Sequence, residues 1–256
     1  MCTLLPRTPS YRLDGKRAVV IGGSRGIGLG CAVALAEQGA SVVIVARSKG
    51  QVFETVNEMK SEGFSVSGAP MDVSIIDNVK NLMGEYSDID ILVNSAGIAR
   101  HTPTVDTTEL DFDDVMSVNV RSAYFLAQSA AKQMISKGTG GSIIQISSQM
   151  AHVGGIDRAV YCGTKHAIEG INKSMAIEFG PHKIRVNSIC PTFIRTPFTE
   201  PTFKDPEKVK WIESKIKVGR VGEVEDIMGA VKFLASDVSA MVTGSSILID
   251  GGWTAG

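Results

Sequence analysis

Three side chains in this chain of 256 residues have the types and spacing for proton transfer. Tyr161 and Lys165 stand four residues apart at the start of a segment, 159–179, whose apolar residues recur at helical spacing. The two side chains therefore share one helix face, with an ammonium beside a phenol. Ser148 follows an apolar run, 141–146, that reads as a buried strand, with Ser147 as a neighbour in that strand. A hydroxyl, a phenol and an ammonium aimed at one bound oxygen suit proton transfer to or from it. The same spacing also describes an i, i+4 pair on a solvated helix face. What decides is whether the remaining chain builds a redox cofactor site alongside.

The first glycine-rich stretch supplies such a site. Residues 17–21 form a short β-branched strand that ends in Gly22-Gly23-Ser24-Arg25-Gly26-Ile27-Gly28, after which apolar residues keep helical spacing through Leu35. Strand, glycine turn and helix let the backbone approach a pyrophosphate, and the helix start offers free N–H groups and a favourable dipole. Gly22, Ser24, Gly26, Ile27 and Gly28 are assigned to the cofactor on that ground. A second strand, 41–45, leads into Ala46-Arg47-Ser48, where the adenosine ribose is expected. No carboxylate stands there to bind ribose hydroxyls. Arg47 and Ser48, with Arg25 from the glycine turn, bracket a 2′-phosphate instead, although two surface arginines need no ligand. The expected cofactor is NADP(H) rather than NAD(H).

The rest of the chain must hold these groups in place. A helix over 51–61 and a strand over 64–69 lead to Pro70-Met71-Asp72-Val73, where Asp72 either accepts from the adenine amino group or caps a helix starting near Ser74. The strand over 89–93 runs into Asn94-Ser95-Ala96-Gly97, whose small residues let a cofactor lie against the backbone. Helical spacing continues over 109–136 with Asn119 in the middle, a residue that by itself reads as a satisfied packing group. A sixth strand, 184–189, opens through Cys190-Pro191 into a stretch to Val218 rich in proline and aromatic residues. At about 195–218 this reads as an irregular lid over the substrate, or as a surface loop with aromatic anchors. A helix over 223–236 and a strand over 247–249 complete the pattern. Seven strands alternating with helices predict one α/β domain over residues 1–256, a Rossmann-type, doubly wound parallel sheet with ligands at the carboxyl ends of its strands. Gln149, Met150, His152, Phe198, Phe203 and Trp211 are the side chains expected to face the substrate.

Composition narrows the partners. The 26 basic and 27 acidic residues nearly balance and form no basic stripe, so nucleic acid is not expected. The start of the chain has no signal-peptide core and no apolar run is of membrane length, so a cytoplasmic protein is expected. The 4 cysteines, Cys2, Cys31, Cys162 and Cys190, are scattered without a C-x-x-C pair, and the 4 histidines have no metal-binding spacing. Neither a disulfide framework nor a metal site is expected.

Taken together, the glycine turn, Asp72-Val73, Asn94-Ser95-Ala96-Gly97, Asn119, Ser148, Tyr161, Lys165 and the turn from Pro191 through Ile194 to Thr196 resemble the short-chain dehydrogenase/reductases over nearly the whole chain. The chain is similar in style to the 3-oxoacyl-carrier-protein reductase and gluconate 5-dehydrogenase branches. The resemblance implies a carbonyl reductase or alcohol dehydrogenase in which Tyr161 is the general acid/base. It also implies that Lys165 lowers the phenol pKa and holds the nicotinamide ribose, that Ser148 bonds the substrate oxygen, and that Asn119 holds a water leading to Lys165. A homotetramer is implied as well. Ile21, Ser95 and Thr192 depart from the usual pattern, and Thr192 is expected to tighten the pocket. Other readings are an NAD-dependent alcohol or sugar-acid dehydrogenase of the same fold, a nucleotide-binding regulator without turnover, and an extended relative for whose larger substrate domain 256 residues leave little room.

Overall fold

Runs of valine and isoleucine that are apolar at every position have to be covered on both faces, and a parallel sheet between two helical layers does this. The computed structural model describes residues 5–256. Its strands are β1 (Arg17–Ile21), β2 (Ser41–Ala46), β3 (Val66–Pro70), β4 (Ile91–Asn94), β5 (Gly141–Ile146), β6 (Ile184–Pro191) and β7 (Ser246–Ile249), in the order β3-β2-β1-β4-β5-β6-β7. All pair in parallel, so every carboxyl end lies on one edge. Alternate residues feed opposite layers. Val20, Ile44 and Val93 pack with α1 (Gly26–Glu37), α2 (Lys49–Ser61) and α9 (Glu225–Ala235). Val19, Val43 and Leu92 pack with α3 (Ile76–Glu85), α5 (Ala123–Lys137) and α6 (Ala159–Phe179). The chain order reverses between β1 and β4, where such sheets open a crevice.

The expectations for β1, β5 and α6 coincide with the structure to the residue. Elsewhere it differs in ways that matter for the site. The segment 109–136 is not one regular helix: α4 (Glu109–Met116), capped by Thr108 Oγ1 accepting from Asp111 N at 3.1 Å, passes into a wider π-type turn at Ser117–Ser122 before α5. Asn119 lies in that wider turn. Cys190 and Pro191 belong to β6, and Ser147 lies beyond the end of β5. Asp72 is not a helix cap. Its carboxylate accepts from Ser74 N at 2.9 Å and Ser74 Oγ at 2.7 Å, and α3 starts later, at Ile76, with Ile75 in the cap position.

The stretch 195–218 is not irregular either. It contains α7 (Glu200–Phe203) and α8 (Pro206–Lys215), each with its proline in the first turn, where the missing N–H costs no helical bond. Asp205 caps α8 by accepting from Glu207 N and Lys208 N at 3.1 and 3.3 Å. Ile212 and Ile216 join Phe193 and Val221 in a small core, with Phe203 and Trp253 packed against it. No helix among the described residues is long and apolar enough to cross a membrane. Cys31, Cys162 and Cys190 are free and buried, and Cys2 lies outside the described residues.

The glycine turn depends on missing side chains. Gly22 and Gly26 have φ of 75° and 54°, and a Cβ on Gly28 would fall 2.0 Å from the carbonyl oxygen of Gly22. The start of α1 is thus pressed against the end of β1. Gly28→Ala is expected to destabilise the protein by about 1–3 kcal/mol, at roughly 2–4 °C of melting temperature per kcal/mol. Gly50→Ala in α2, where a Cβ meets nothing, should instead raise stability by about 0.4–1 kcal/mol. Thermal unfolding of the two variants checks both signs.

Candidate active site

A cavity of about 700 Å³ runs along the carboxyl ends of β1 to β6. Gly22, Ser24, Arg25, Gly26 and Ile27 wall one end, with Arg47, Ser48, Asp72 and Val73 beside them. No side chain caps the start of α1, so its first N–H groups remain free for a ligand. Ala96 and Gly97 form the middle, and Pro191, Ile194 and Thr196 border it from β6 onward. Ser148, Tyr161 and Lys165 meet at the other end, next to Gln149, Met150 and Phe198.

Each of these side chains is positioned by its own element. Ser148 caps a short turn over Gln149–Ala151, accepting from Met150 N at 3.1 Å and donating to Gln149 Oε1 at 3.1 Å. Lys165 Nζ donates to the carbonyl of Ile146 at 2.9 Å and lies 5.6 Å from the centre of the Tyr161 ring. One turn further along α6, the buried Glu169 accepts from Ser188 Oγ at 2.7 Å, from Ser246 Oγ, and from Cys190 Sγ at 3.6 Å. This anion partly offsets what burial does to the ammonium, which is nevertheless pushed down to about 8. Tyr161 moves against expectation. Burial holds the phenol above its ordinary pKa, and the Ser148 hydroxyl and the Arg158 charge oppose that only in part. At Asp72, burial pushes the carboxyl up, but bonds from Ser74 and the charge of Arg47 outweigh it and hold it below its usual value.

Some assigned residues stand behind the wall. Gly28 lies under the glycine turn. Asn94 is buried, donating to Gln145 Oε1 at 2.8 Å and accepting from Ala96 N at 3.2 Å. Asn119 clamps the backbone of Ile98, accepting from its N and donating to its O at 2.8 Å each, and also donates to Thr164 Oγ1 at 3.2 Å. His152, Phe203 and Trp211 do not line the cavity. Phe203 lies under the Arg195 guanidinium and packs against the small core under α8, while Trp211 is exposed and meets Trp253 edge-on. His152 faces Glu169 and Cys190, the three offering ligand atoms within 4.8 Å of one another. The carboxylate there is already bonded to two serines, and burial pushes the Cys190 thiol up to about 12.

Sequence reasoning passed over Arg158, His101 and Phe193, all in the wall. Arg158 stands one helical turn before Tyr161 at the start of α6, a spacing that could have marked it.

A family model described as enoyl-(acyl carrier protein) reductase matches residues 21–254. The chain is 37% identical over 244 residues to the L-xylulose reductase of Bos taurus, covering 95% of this chain and 98% of that one. A crystal structure of a gluconate 5-dehydrogenase from Burkholderia cenocepacia in complex with NADP and tartrate superposes with a TM-score of 0.93 at 34% identity, over 96% of this chain and 98% of that one. A short-chain type dehydrogenase/reductase from Mycobacterium marinum does so with 0.90 at 37% identity, again over 96% and 98%.

The lowered Lys165 value has a sign that can be tested. Exposed, the amine titrates at 10.5; folded, at about 8, so its burial costs stability below pH 8 and that cost fades as pH rises through the window between the two. Relative to Lys165→Met, the parent should gain on the order of 3 kcal/mol between about pH 8 and pH 10.5. Urea unfolding of both proteins across that range measures it, and a difference that stays flat with pH contradicts the assignment.

Proposed function

The chain belongs to the short-chain dehydrogenase/reductase family of oxidoreductases, and from that premise we propose that it interconverts a ketone and a secondary alcohol on a small polyhydroxylated molecule, using NADP(H), with Tyr161 as general acid and base. The observation carrying this reading is the meeting of Ser148, Tyr161 and Lys165 at one end of a cavity whose other end is a glycine turn flanked by two guanidinium groups.

The cradle fits such a dinucleotide. Side chains are excluded at Gly22 and Gly28, the start of α1 is free, and neither Arg25 nor Arg47 has an ion-pair partner among the described residues. Arg25, Arg47 and Ser48 are assigned to the 2′-phosphate, the α1 amino end to the pyrophosphate, and Asp72 and Val73 to the adenine. Pro191, Ile194, Thr196 and Lys165 hold the nicotinamide end. When bound, the nicotinamide supplies or accepts the hydride.

The side chains handle the proton. In the reducing direction Tyr161 donates to the oxygen, and the burial that raises its pKa keeps the phenol protonated at neutral pH, the state an acid needs. Lys165, still charged at pH 7, favours the phenolate left after transfer, and Ser148 steadies the substrate oxygen. Asn119 is assigned to the proton path behind Lys165, since a Cβ added to Gly97 would lie 3.5 Å from its Oδ1 and 3.8 Å from Lys165 Nζ. The part of the 195–218 segment that borders the cavity, Thr196 to Thr199, is assigned to cover it. Homotetramer formation in the cytoplasm completes the reading, supported by Tyr124 and Ile177, exposed on α5 and α6.

Tyr161→Phe is expected to lower kcat by about 10²–10⁴-fold with NADPH affinity retained, measured by steady-state kinetics and NADPH fluorescence titration. Arg47→Asp should weaken NADPH by about 10–100-fold while leaving NADH little changed. Equal kcat/KM for the two cofactors in the parent would remove the ground for the arginine assignment.

A further inference from the structure

Arg158 is out of place as a structural arginine. It is partly buried, starts α6, and stands in the cavity wall next to Tyr161. A guanidinium withdrawn from water ordinarily meets a carboxylate or several carbonyl and hydroxyl oxygens. Arg185, the other arginine whose pKa burial lowers, does so: it donates to Ser239 Oγ at 2.8 Å and to Ser236 O at 3.2 Å. Arg158 has one hydrogen bond, from Nη1 to His101 Nε2 at 2.9 Å, and no ion-pair partner among the described residues. Its guanidinium lies over the Phe193 ring, 5.3 Å from the centroid, a face that offers no hydrogen-bond acceptor lone pair. Most of its five N–H groups are therefore uncommitted.

The surroundings fix it in that state. His101 is pushed down to about 4 by burial and by the Arg158 charge, so at neutral pH its ring is uncharged and its Nε2 can accept from the guanidinium. Thr102 N donates to the carbonyl of Asp157 at 3.2 Å, tying the loop that carries His101 to the loop that carries Arg158. The His101 ring stands edge-on to Tyr161 with centroids 6.1 Å apart, which puts the free donors within one small molecule's length of the phenol. Arg25 and Arg47 are at the opposite end, by the glycine turn and the end of β2, so Arg158 is not a third ligand of the same phosphate.

From this geometry we propose that Arg158, held by His101, binds the carboxylate of the substrate, and that the molecule turned over is a polyhydroxy acid rather than a neutral ketose or polyol. This rests on the reading of the cavity as a ketone and alcohol site. A planar fork beside one neutral imidazole matches a monoanionic carboxylate, whereas a phosphate dianion calls for more positive charge than one arginine supplies.

A binding measurement separates this inference from the reaction itself. Four- to six-carbon polyhydroxy acids, the polyols of matching length and a sugar phosphate are titrated by calorimetry into the protein saturated with NADPH, using the parent, Arg158→Gln and Arg158→Lys. In the parent at least one acid should bind about 100-fold more tightly than its polyol, the scale of a charge-assisted pair. Arg158→Gln should erase that difference with NADPH affinity unchanged, and Arg158→Lys should restore part of it. Acids binding no better than polyols in the parent, a preference that survives in Arg158→Gln, or a sugar phosphate binding most tightly would each overturn the proposal. Failure of every one of these alcohols to be oxidised when NADP+ replaces NADPH would sink the proposed reaction, while the binding difference would still decide the role of Arg158.

Discussion

Lys165 Nζ donates to the carbonyl of Ile146, the last residue of β5, and most of the site is arranged around that bond. It pins α6 to the edge of the sheet where the strand stops, so the tyrosine one turn earlier cannot drift from the serine that follows the strand. Its cost is a cation withdrawn from water, which the structure answers with Glu169 one turn further on, itself held by serines from β6 and β7. Lys165 thus ties α6 to β5, and Glu169 ties it to β6 and β7. A parallel sheet makes this possible, because only there do all the carboxyl ends share an edge.

The fold was legible where the sequence pattern has one meaning. Each residue of 141–146 and the start and end of α6 could be read because apolar runs and helical spacing leave no competing pattern there. Legibility failed where one residue type has two meanings. Pro201 and Pro206 fall in a stretch that reads as irregular and are helix starters; at Pro206 the cap formed by Asp205 distinguishes the two roles, and a cap is visible once the helix is known. Asn119 was singled out correctly as a residue in a helical segment, but periodicity carries no trace of the wider turn that aims it at Ile98.

The site divides in the same way. Ser148, Tyr161 and Lys165 are tied by short sequence separations, and the glycine turn by its own pattern. His101 and Arg158 are 57 positions apart and meet because two loops cross, which no local pattern records. The phenol's upward shift was missed for a related reason: spacing places an ammonium near Tyr161 but does not report how much water both groups have lost. A chain whose charges cancel to −1 overall also hides that guanidinium groups stand at both ends of one cavity.

The small core beneath α8 has an optical consequence. The chain has 2 tryptophans, and both stand beside it: Trp253, near the carboxyl terminus, packs against the core, and the exposed Trp211 of α8 meets Trp253 with ring centroids 5.4 Å apart, while Phe193 of the cavity wall is 5.6 Å from Trp253. All indole emission from this protein therefore arises from the junction between α8 and the chain end. The sheet, which contains no indole, adds nothing to that emission, so the molecule carries a built-in reporter of how α8 is seated.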